Sequence, residues 1–327
     1  MKYLNRLEAI TRINQLAITD RPFLFIVNYQ QDQSYICPLD EINADEVLFS
    51  FPSYNNTAET NLPIPTALQW NVQPESYESY LQKFKKVQHH LHRGDSFLTN
   101  LTCRIPVATN LSLRDIFVYS HAPYKLWMKD HLVCFSPEIF LRIHNGRISS
   151  YPMKGTIEAN LPDAEMQLMK NEKEAAEHAT IVDLIRNDLS IQASHVKVTR
   201  YRYLDHLYTN KGEILQTSSE IAGELPANYR QHLGDILFSQ LPAGSITGAP
   251  KQKTMSIIDE AENYARGFYT GVMGVCHQGE MDSAVMIRYI EQENNQLYFK
   301  AGGGITAYSN CRDEYNEVIS KAYVPIY

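Results

Sequence analysis

Hydrophobic positions along this 327-residue chain recur at two spacings, and the switches between them lay out most of its elements. FLFIVNYQ, from Phe23, is a continuous apolar run of strand length, and EVLFSFPSY is a second candidate strand. Tyr80, Phe84, Val87 and Leu91 fall three or four residues apart, which predicts a helix opening at Tyr77 and stopped by Gly94. A strand, SFLTNLTCRIPV, and a helix near SLRDIFVYSHA follow. Next come strands in YKLWMKD, LVCFSPEIFLRIHN and RISSYPM, with a turn at His144-Asn145-Gly146. Beyond them the pattern predicts a long helix over 163–189, short strands, a helix near 229–240, and a glycine loop, LPAGSITGAPK, entering a helix with Pro250 at its first position. Strands over 268–278, 282–290 and 296–301 and a final helix complete the chain. The polar stretch NNTAETNLPIPTALQWNVQPES reads as loop and suggests a division into residues 1–75 and 76–327. Short turns between strands imply antiparallel sheets, and the class is α+β, or mixed α/β, with helices packed outside.

Composition narrows the function classes more than the fold. At 44% hydrophobic and 20% charged, the chain can bury a large core as one large or two modest domains. A net charge of -7 leaves no general basic field, so no nucleic-acid or anionic-membrane partner is expected. Five cysteines, odd in number and never in a C-x-x-C pair, argue against a disulfide framework and a zinc ribbon, and point to reduced thiols. No stretch approaches a membrane span, and the amino terminus lacks a signal-peptide core, so a cytoplasmic location is expected.

Several residues stand where chemistry would need them. Lys154, in YPMKGT, lies between Met153 and Gly155, a setting that suits either a partly desolvated nucleophile or a packed loop lysine. Glu174 and Glu177 share a helix face that becomes apolar further along, and Glu314 and Glu317 repeat the spacing on the last helix, one turn before Lys321. Four such carboxylates suit Mg²⁺ better than a soft metal, and equally suit solvated helix faces. The loop LPAGSITGAPK is not a Walker A loop, because Pro250 precedes Lys251 and no G-K-[ST] follows; it could aim backbone N–H groups at an anion or simply enter a helix. Arg288 sits in the apolar run SAVMIRYI, where a guanidinium calls for a planar anion or an edge position. The glycines of AGGGI allow close approach of a ligand or a turn. His89, His90 and His92 fall on different helix faces and make a poor metal site, and no cysteine has the glycine-flanked setting of a glutaminase nucleophile.

Taken in order, GDSFLTNL, SPEIFL, PMKGT, NEKEAAEH with VDLIRNDL, PAGSITGAPK, YTGVMG, IRYI and AGGGITAYS with EYNE resemble the chorismate-utilising enzymes, a family that includes anthranilate synthase and aminodeoxychorismate synthase large subunits. The resemblance covers about residues 77–327. It implies a two-lobed sandwich of large antiparallel sheets with outer helices, residues 76–327 forming the chorismate-binding catalytic domain and 1–75 a short amino-terminal part. It further implies Mg²⁺ held at Glu174, Glu177, Glu314 and Glu317, and an enolpyruvyl carboxylate held by Tyr269, Arg288 and the Gly303-Gly304 backbone, with Ser245 and Lys321 also in the active site. Lys154 matches the lysine that adds to ring C2 in aminodeoxychorismate synthases, where anthranilate synthases usually carry a small residue, and Glu138 matches the acid that assists loss of the C4 hydroxyl. Leu98 stands where water-adding members place a lysine base. The resemblance therefore implies 4-amino-4-deoxychorismate as product, on the route to p-aminobenzoate and folate, with ammonia from a separate class I glutamine amidotransferase. Its alternatives are an anthranilate synthase component, or a silent protein that binds chorismate or a glutaminase. Gln216 departs from the pattern, since many members have histidine there, and glutamine cannot titrate.

Overall fold

A computed structural model describes residues 1–57, 67–209 and 212–326. The chain forms two compact units: Met1–Asp40 with Glu138–Ser245 and Gly271–Val285, and Glu41–Pro137 with Ile246–Thr270 and Met286–Tyr327. These units cut across the division at 75/76, because each sheet recruits strands from distant parts of the chain. Part of the stretch that marked that division, residues 58–66, lies outside the described residues. Among the described residues, no helix is long and apolar enough to cross a membrane.

The first unit holds a sheet of nine described strands. Phe23–Val27 is buried along its whole length, pairing with Ser34–Pro38 on one side and Val272–His277 on the other, which is why it reads as a continuous apolar run. Helix Arg6–Ile18 was not legible as a separate element. Its signal is a capping box, in which Asn5 and Glu8 exchange side-chain-to-backbone hydrogen bonds, and it buries Ala9, Ile13, Leu16 and Ala17. The expected helix over 163–189 is two helices, Ala164–Lys170 and Glu172–Leu189. Asn171, at ψ 106°, breaks the first, and its side chain accepts from Glu174 N to open the second. The expected short strands are instead long, Ser194–Thr209 and Gly212–Glu224.

The second unit holds a sheet of eight described strands around Leu98–Thr109, which pairs with Gln296–Ile305 from Leu297↔Val107 to Ile305↔Thr99. Helix Tyr77–His92 starts at Ser76, whose side chain accepts from Ser79 N, and buries Tyr80, Phe84, Val87 and Leu91 as their spacing predicts. Each such side chain contributes about 1.5–3 kcal/mol of burial. A short strand, Trp70–Val72, pairs with Leu98–Thr109 inside the stretch expected to be loop. LVCFSPEIFLRIHN is two strands in different sheets, Leu132–Ser136 and Ile139–His144, because Pro137 cannot donate to a ladder. The described ladders of both sheets are antiparallel. The fold is α+β, as the pattern predicts.

Candidate active-site residues

Lys154 lies on strand Met153–Glu158, in register with Thr217, whose hydroxyl donates to the Lys154 carbonyl. The ladder then shifts, and Thr156 pairs with Gln216. Gly155 forms the bulge at φ +72°, and a Cβ there would lie 3.1 Å from Leu168 Cδ1 and 3.3 Å from Glu174 Oε2. Glycine thus satisfies the left-handed backbone and leaves room for the Glu174 carboxylate. Lys154 Nζ lies 3.9 Å from Glu177 Oε2, the two side chains being only 19% and 10% exposed. Lys154 is thus partly buried, and a carboxylate of the helix Glu172–Leu189 stands beside it.

Glu138 is buried directly after Pro137, and Ser245 Oγ donates to its Oε1 at 2.6 Å. A cavity of about 20 Å³, lined in part by Glu138, Asp188, Gln240 and Ser245, adjoins this pair. Sequence reasoning assigned nothing to His178, which is fully buried behind Glu177. Ser219 Oγ accepts from Arg202 N at 2.9 Å and lies 2.6 Å from His178 Nε2. Burial, with the nearby Arg202 and Lys154 charges, lowers its pKa to about 4. The signal in the sequence was its place between Glu177 and Ile181, one step off the polar stripe.

In the second unit, Arg288 is not inside a strand. It holds a left-handed φ of +53° between strands Glu280–Val285 and Tyr289–Glu293. Its carbonyl accepts from Phe135 N, its NH1 donates to the Lys321 carbonyl at 3.2 Å, and its guanidinium lies 5.2 Å from the Tyr323 ring centre. Tyr269 is buried 5.7 Å from the Tyr289 ring, and burial raises its pKa, keeping the phenol a proton donor. Gly303 and Gly304 lie near the carboxyl-terminal end of strand Gln296–Ile305, which runs past the expected end at residue 301. A Cβ on Gly303 would lie 3.3 Å from Glu314 Oε2, 3.8 Å from Glu317 Oε1 and 4.0 Å from Lys321 Nζ, so two carboxylates and an ammonium flank bare backbone. Lys321 Nζ lies 2.6 Å from Glu317 Oε1 and donates to the Gly302 carbonyl at 2.9 Å.

The glycine loop differs from expectation. Pro250 is the residue before helix Lys251–Ala261, at ψ 142°, and Gly248-Ala249 pairs with Thr99-Leu98. Two residues of the loop are therefore used in sheet pairing, and Gly244–Ile246 forms a 3-10 turn. Among the described residues, no three His, Cys, Asp or Glu side chains gather closely enough to hold a metal ion. Each glutamate pair is nevertheless a hard-oxygen set, and Mg²⁺ commonly takes one or two carboxylates while water and substrate complete its shell. The donor chemistry fits that ion.

This chain belongs to the chorismate binding enzyme family, which it matches over residues 9–326. An uncharacterized PabA-like protein of Haemophilus influenzae is 48% identical over 317 residues, 97% of this chain and 96% of that protein. Aminodeoxychorismate synthase component 1 of Salmonella typhimurium is 34% identical over 279 residues, 81% of this chain and 60% of that protein, so this chain spans less than two thirds of its length. The crystal structure of anthranilate synthase component I from Streptococcus pneumoniae matches with a TM-score of 0.65 at 28% identity, covering 80% of this chain and 62% of that one.

Proposed function

We propose that this chain converts chorismate and ammonia to 4-amino-4-deoxychorismate, for p-aminobenzoate and folate synthesis, and takes its ammonia from a class I glutamine amidotransferase subunit. The observation that carries this reading is Lys154 itself: a mostly buried lysine on a bulged strand, within 3.9 Å of Glu177. Nucleophilic catalysis calls for an amine withdrawn from solvent, and this position supplies one. Likeness to aminodeoxychorismate synthase component 1 of Salmonella typhimurium supports the same product.

In this mechanism the neutral Lys154 amine bonds to ring C2, both ring double bonds shift by one position towards C4, and the C4–O bond breaks, the hydroxyl leaving as water with a proton from Glu138. Ser245, bonded to Glu138 at 2.6 Å, orients that carboxyl group. Ammonia then bonds to C4, both double bonds shift back, the Nζ–C2 bond breaks to restore the amine, and the nitrogen at C4 returns a proton to Glu138. Arg288 and Tyr269 are assigned to the enolpyruvyl carboxylate, a forked cation and a neutral phenol donor being suited to a planar anion. The Gly303-Gly304 backbone and Lys321 are assigned to substrate beside them. Glu174, Glu177, Glu314 and Glu317 would hold Mg²⁺, which supplies a counter-charge for the ring carboxylate.

The test is direct. The pure chain is incubated with chorismate, Mg²⁺ and an ammonium salt, and products are identified by mass with and without an aminodeoxychorismate lyase. Release of p-aminobenzoate only with the lyase is expected. Fluorescent anthranilate without the lyase would replace this reading with that of an anthranilate synthase component, and chorismate left intact would indicate a silent binding protein.

A further inference from the structure

Behind Tyr269 lies a buried ion pair whose hydrogen bonds are all directed at the segments around it. The Arg266 and Glu262 side chains are 1% and 2% exposed. Arg266 uses every donor it has: Nε to Glu262 Oε2 at 2.9 Å, NH2 to Glu262 Oε1 at 2.7 Å and the Asn100 carbonyl at 2.6 Å, and NH1 to the Ile246 carbonyl at 3.1 Å and Thr270 Oγ1 at 3.4 Å. Glu262 Oε1 also accepts from Thr102 N and Oγ1, and the Arg266 carbonyl accepts from Lys300 Nζ and Tyr269 N.

The segment so held is strained. Thr270 has φ +62°, a left-handed conformation that β-branched residues rarely adopt and that persists only when surroundings impose it. Thr270 N donates to the Met286 carbonyl, its hydroxyl donates to the Tyr269 carbonyl at 2.6 Å, and Arg266 bonds the hydroxyl oxygen from the other side. One guanidinium therefore ties the strained turn to the glycine loop at Ile246 and to the central strand at Asn100.

We infer that Arg266, fixed by Glu262, is a positioning residue that holds the Tyr269-Thr270 turn in its left-handed form and so aims the Tyr269 phenol at the substrate carboxylate. The inference rests on the assignment of Tyr269 to that carboxylate. It goes beyond fold stability, because an ion pair needed only for packing has an apolar substitute. Replacing both members of a buried pair by apolar residues of similar size often leaves stability intact, whereas removing one does not.

The test uses the full chain and follows chorismate consumption, whatever the product, together with thermal unfolding. Glu262→Met with Arg266→Met should raise KM for chorismate by about tenfold or more, the worth of one hydrogen bond to a charged group, while kcat changes much less. Adding Thr270→Gly, which adopts the left-handed turn unaided, should recover most of that loss. A double variant with wild-type KM, or a raised KM that Thr270→Gly does not recover, overturns the inference. If the double variant fails to fold, Arg266→Lys carries the test, since an ammonium can pair with Glu262 but cannot span the Ile246 and Thr270 acceptors. Its KM should rise and be recovered by Thr270→Gly in the same way, and a wild-type KM overturns the proposal. Tyr269→Phe separates the two levels: an unchanged KM there removes the assignment of Tyr269 and this inference with it. A raised KM for Tyr269→Phe, with no effect at Arg266, removes the positioning role alone.

Discussion

Helices Glu172–Leu189 and Cys311–Ser320 begin alike. Each is capped by an asparagine side chain, each carries two glutamates three residues apart near its start, and each turns a buried residue inward directly after the second glutamate, His178 in one and Val318 in the other. They differ in where the balancing cation comes from. Glu317 is bonded at 2.6 Å by Lys321, four residues on at the cap of the same helix, and its side chain is 52% exposed. Glu177 faces Lys154, brought to 3.9 Å by a separate strand in a mostly buried setting. A local, exposed pair of the first kind contributes a few tenths of a kcal/mol and needs only sequence spacing. Bringing a lysine from another element requires the bulge at Gly155 and the ladder behind it. Spacing thus reveals which face a glutamate occupies, and the source of its cation distinguishes a pair closed locally from one assembled across two elements.

The largest effect expected from this contrast separates the two lysines. Lys154→Ala should slow formation of 4-amino-4-deoxychorismate by about 10³-fold or more, in the range of losing a covalent catalyst, and leave traces of the 2-amino isomer or anthranilate. Lys321→Ala should instead act mainly on KM for chorismate, by about tenfold. Wild-type protein given chorismate without ammonia should accumulate a covalent adduct on the peptide containing Lys154, visible by intact mass. No adduct, together with a Lys154→Ala variant that makes the 4-amino product at the wild-type rate, would reduce Lys154 to a packed lysine.

The buried residues after the second glutamates give the next contrast. Burial lowers the His178 pKa from 6.5 to about 4, so the folded state resists the proton that the unfolded chain accepts. Its contribution is whole above pH 6.5 and is lost as pH falls from 6.5 towards 4; by linkage the loss reaches at most about 3 kcal/mol. Val318 contributes no such dependence. The urea midpoint of wild type should therefore fall over this interval more steeply than that of His178→Gln. Parallel curves for the two proteins would show that His178 does not titrate on unfolding.

Smaller again is the expected effect of Glu177→Gln and Glu317→Gln, each of which removes one formal charge from the proposed Mg²⁺ site with little change of shape. Both should raise the Mg²⁺ concentration for half-maximal activity by about tenfold, and calorimetric Mg²⁺ binding should weaken in parallel. Glu177→Gln should also lower kcat, because the same carboxylate faces the nucleophile, whereas Glu317→Gln should not. Full activity of the wild type in excess chelator would remove the metal from the proposal.

The elements with a single period were legible in sequence. Helix Tyr77–His92 and strand Phe23–Val27 follow from their apolar spacing alone. What was not legible depended on partners far along the chain. Pro137 divides a continuous apolar run between two sheets, and only the location of partner strands shows that. Arg288 reads as part of a strand because its neighbours are apolar, yet its backbone is left-handed. Gly155, Glu174, Glu177 and Lys154 could each be named from sequence. Their approach, with a carboxylate 3.3 Å from a glycine's absent Cβ, is a tertiary fact. The Arg266 network was missed for the same reason: its acceptors come from residues 100, 246, 262 and 270, and no local pattern links them.

The smallest effect concerns the caps, where the two helices are most alike. Asn171 Oδ1 accepts from Glu174 N at 3.1 Å, and Asn310 Oδ1 accepts from Arg312 N at 2.9 Å and Asp313 N at 3.3 Å. Replacing either by alanine should cost about 1 kcal/mol, the usual worth of an asparagine cap, which corresponds to a few degrees at most in melting temperature. The functional consequences should differ even where stability losses match. Asn171 bonds the backbone N–H of Glu174 itself and terminates the preceding helix, so Asn171→Ala loosens both the first glutamate and the break that aims it at Gly155. Asn310 bonds the two residues ahead of Glu314, which is buried against the Gly303 backbone. Asn171→Ala should therefore weaken Mg²⁺ binding by about twofold to fivefold, and Asn310→Ala should leave it near wild type at equal loss of melting temperature. Equal weakening in both variants would mean that the caps act only through overall stability, and the contrast between a locally paired and a remotely assembled glutamate would then not extend to the first turn of either helix.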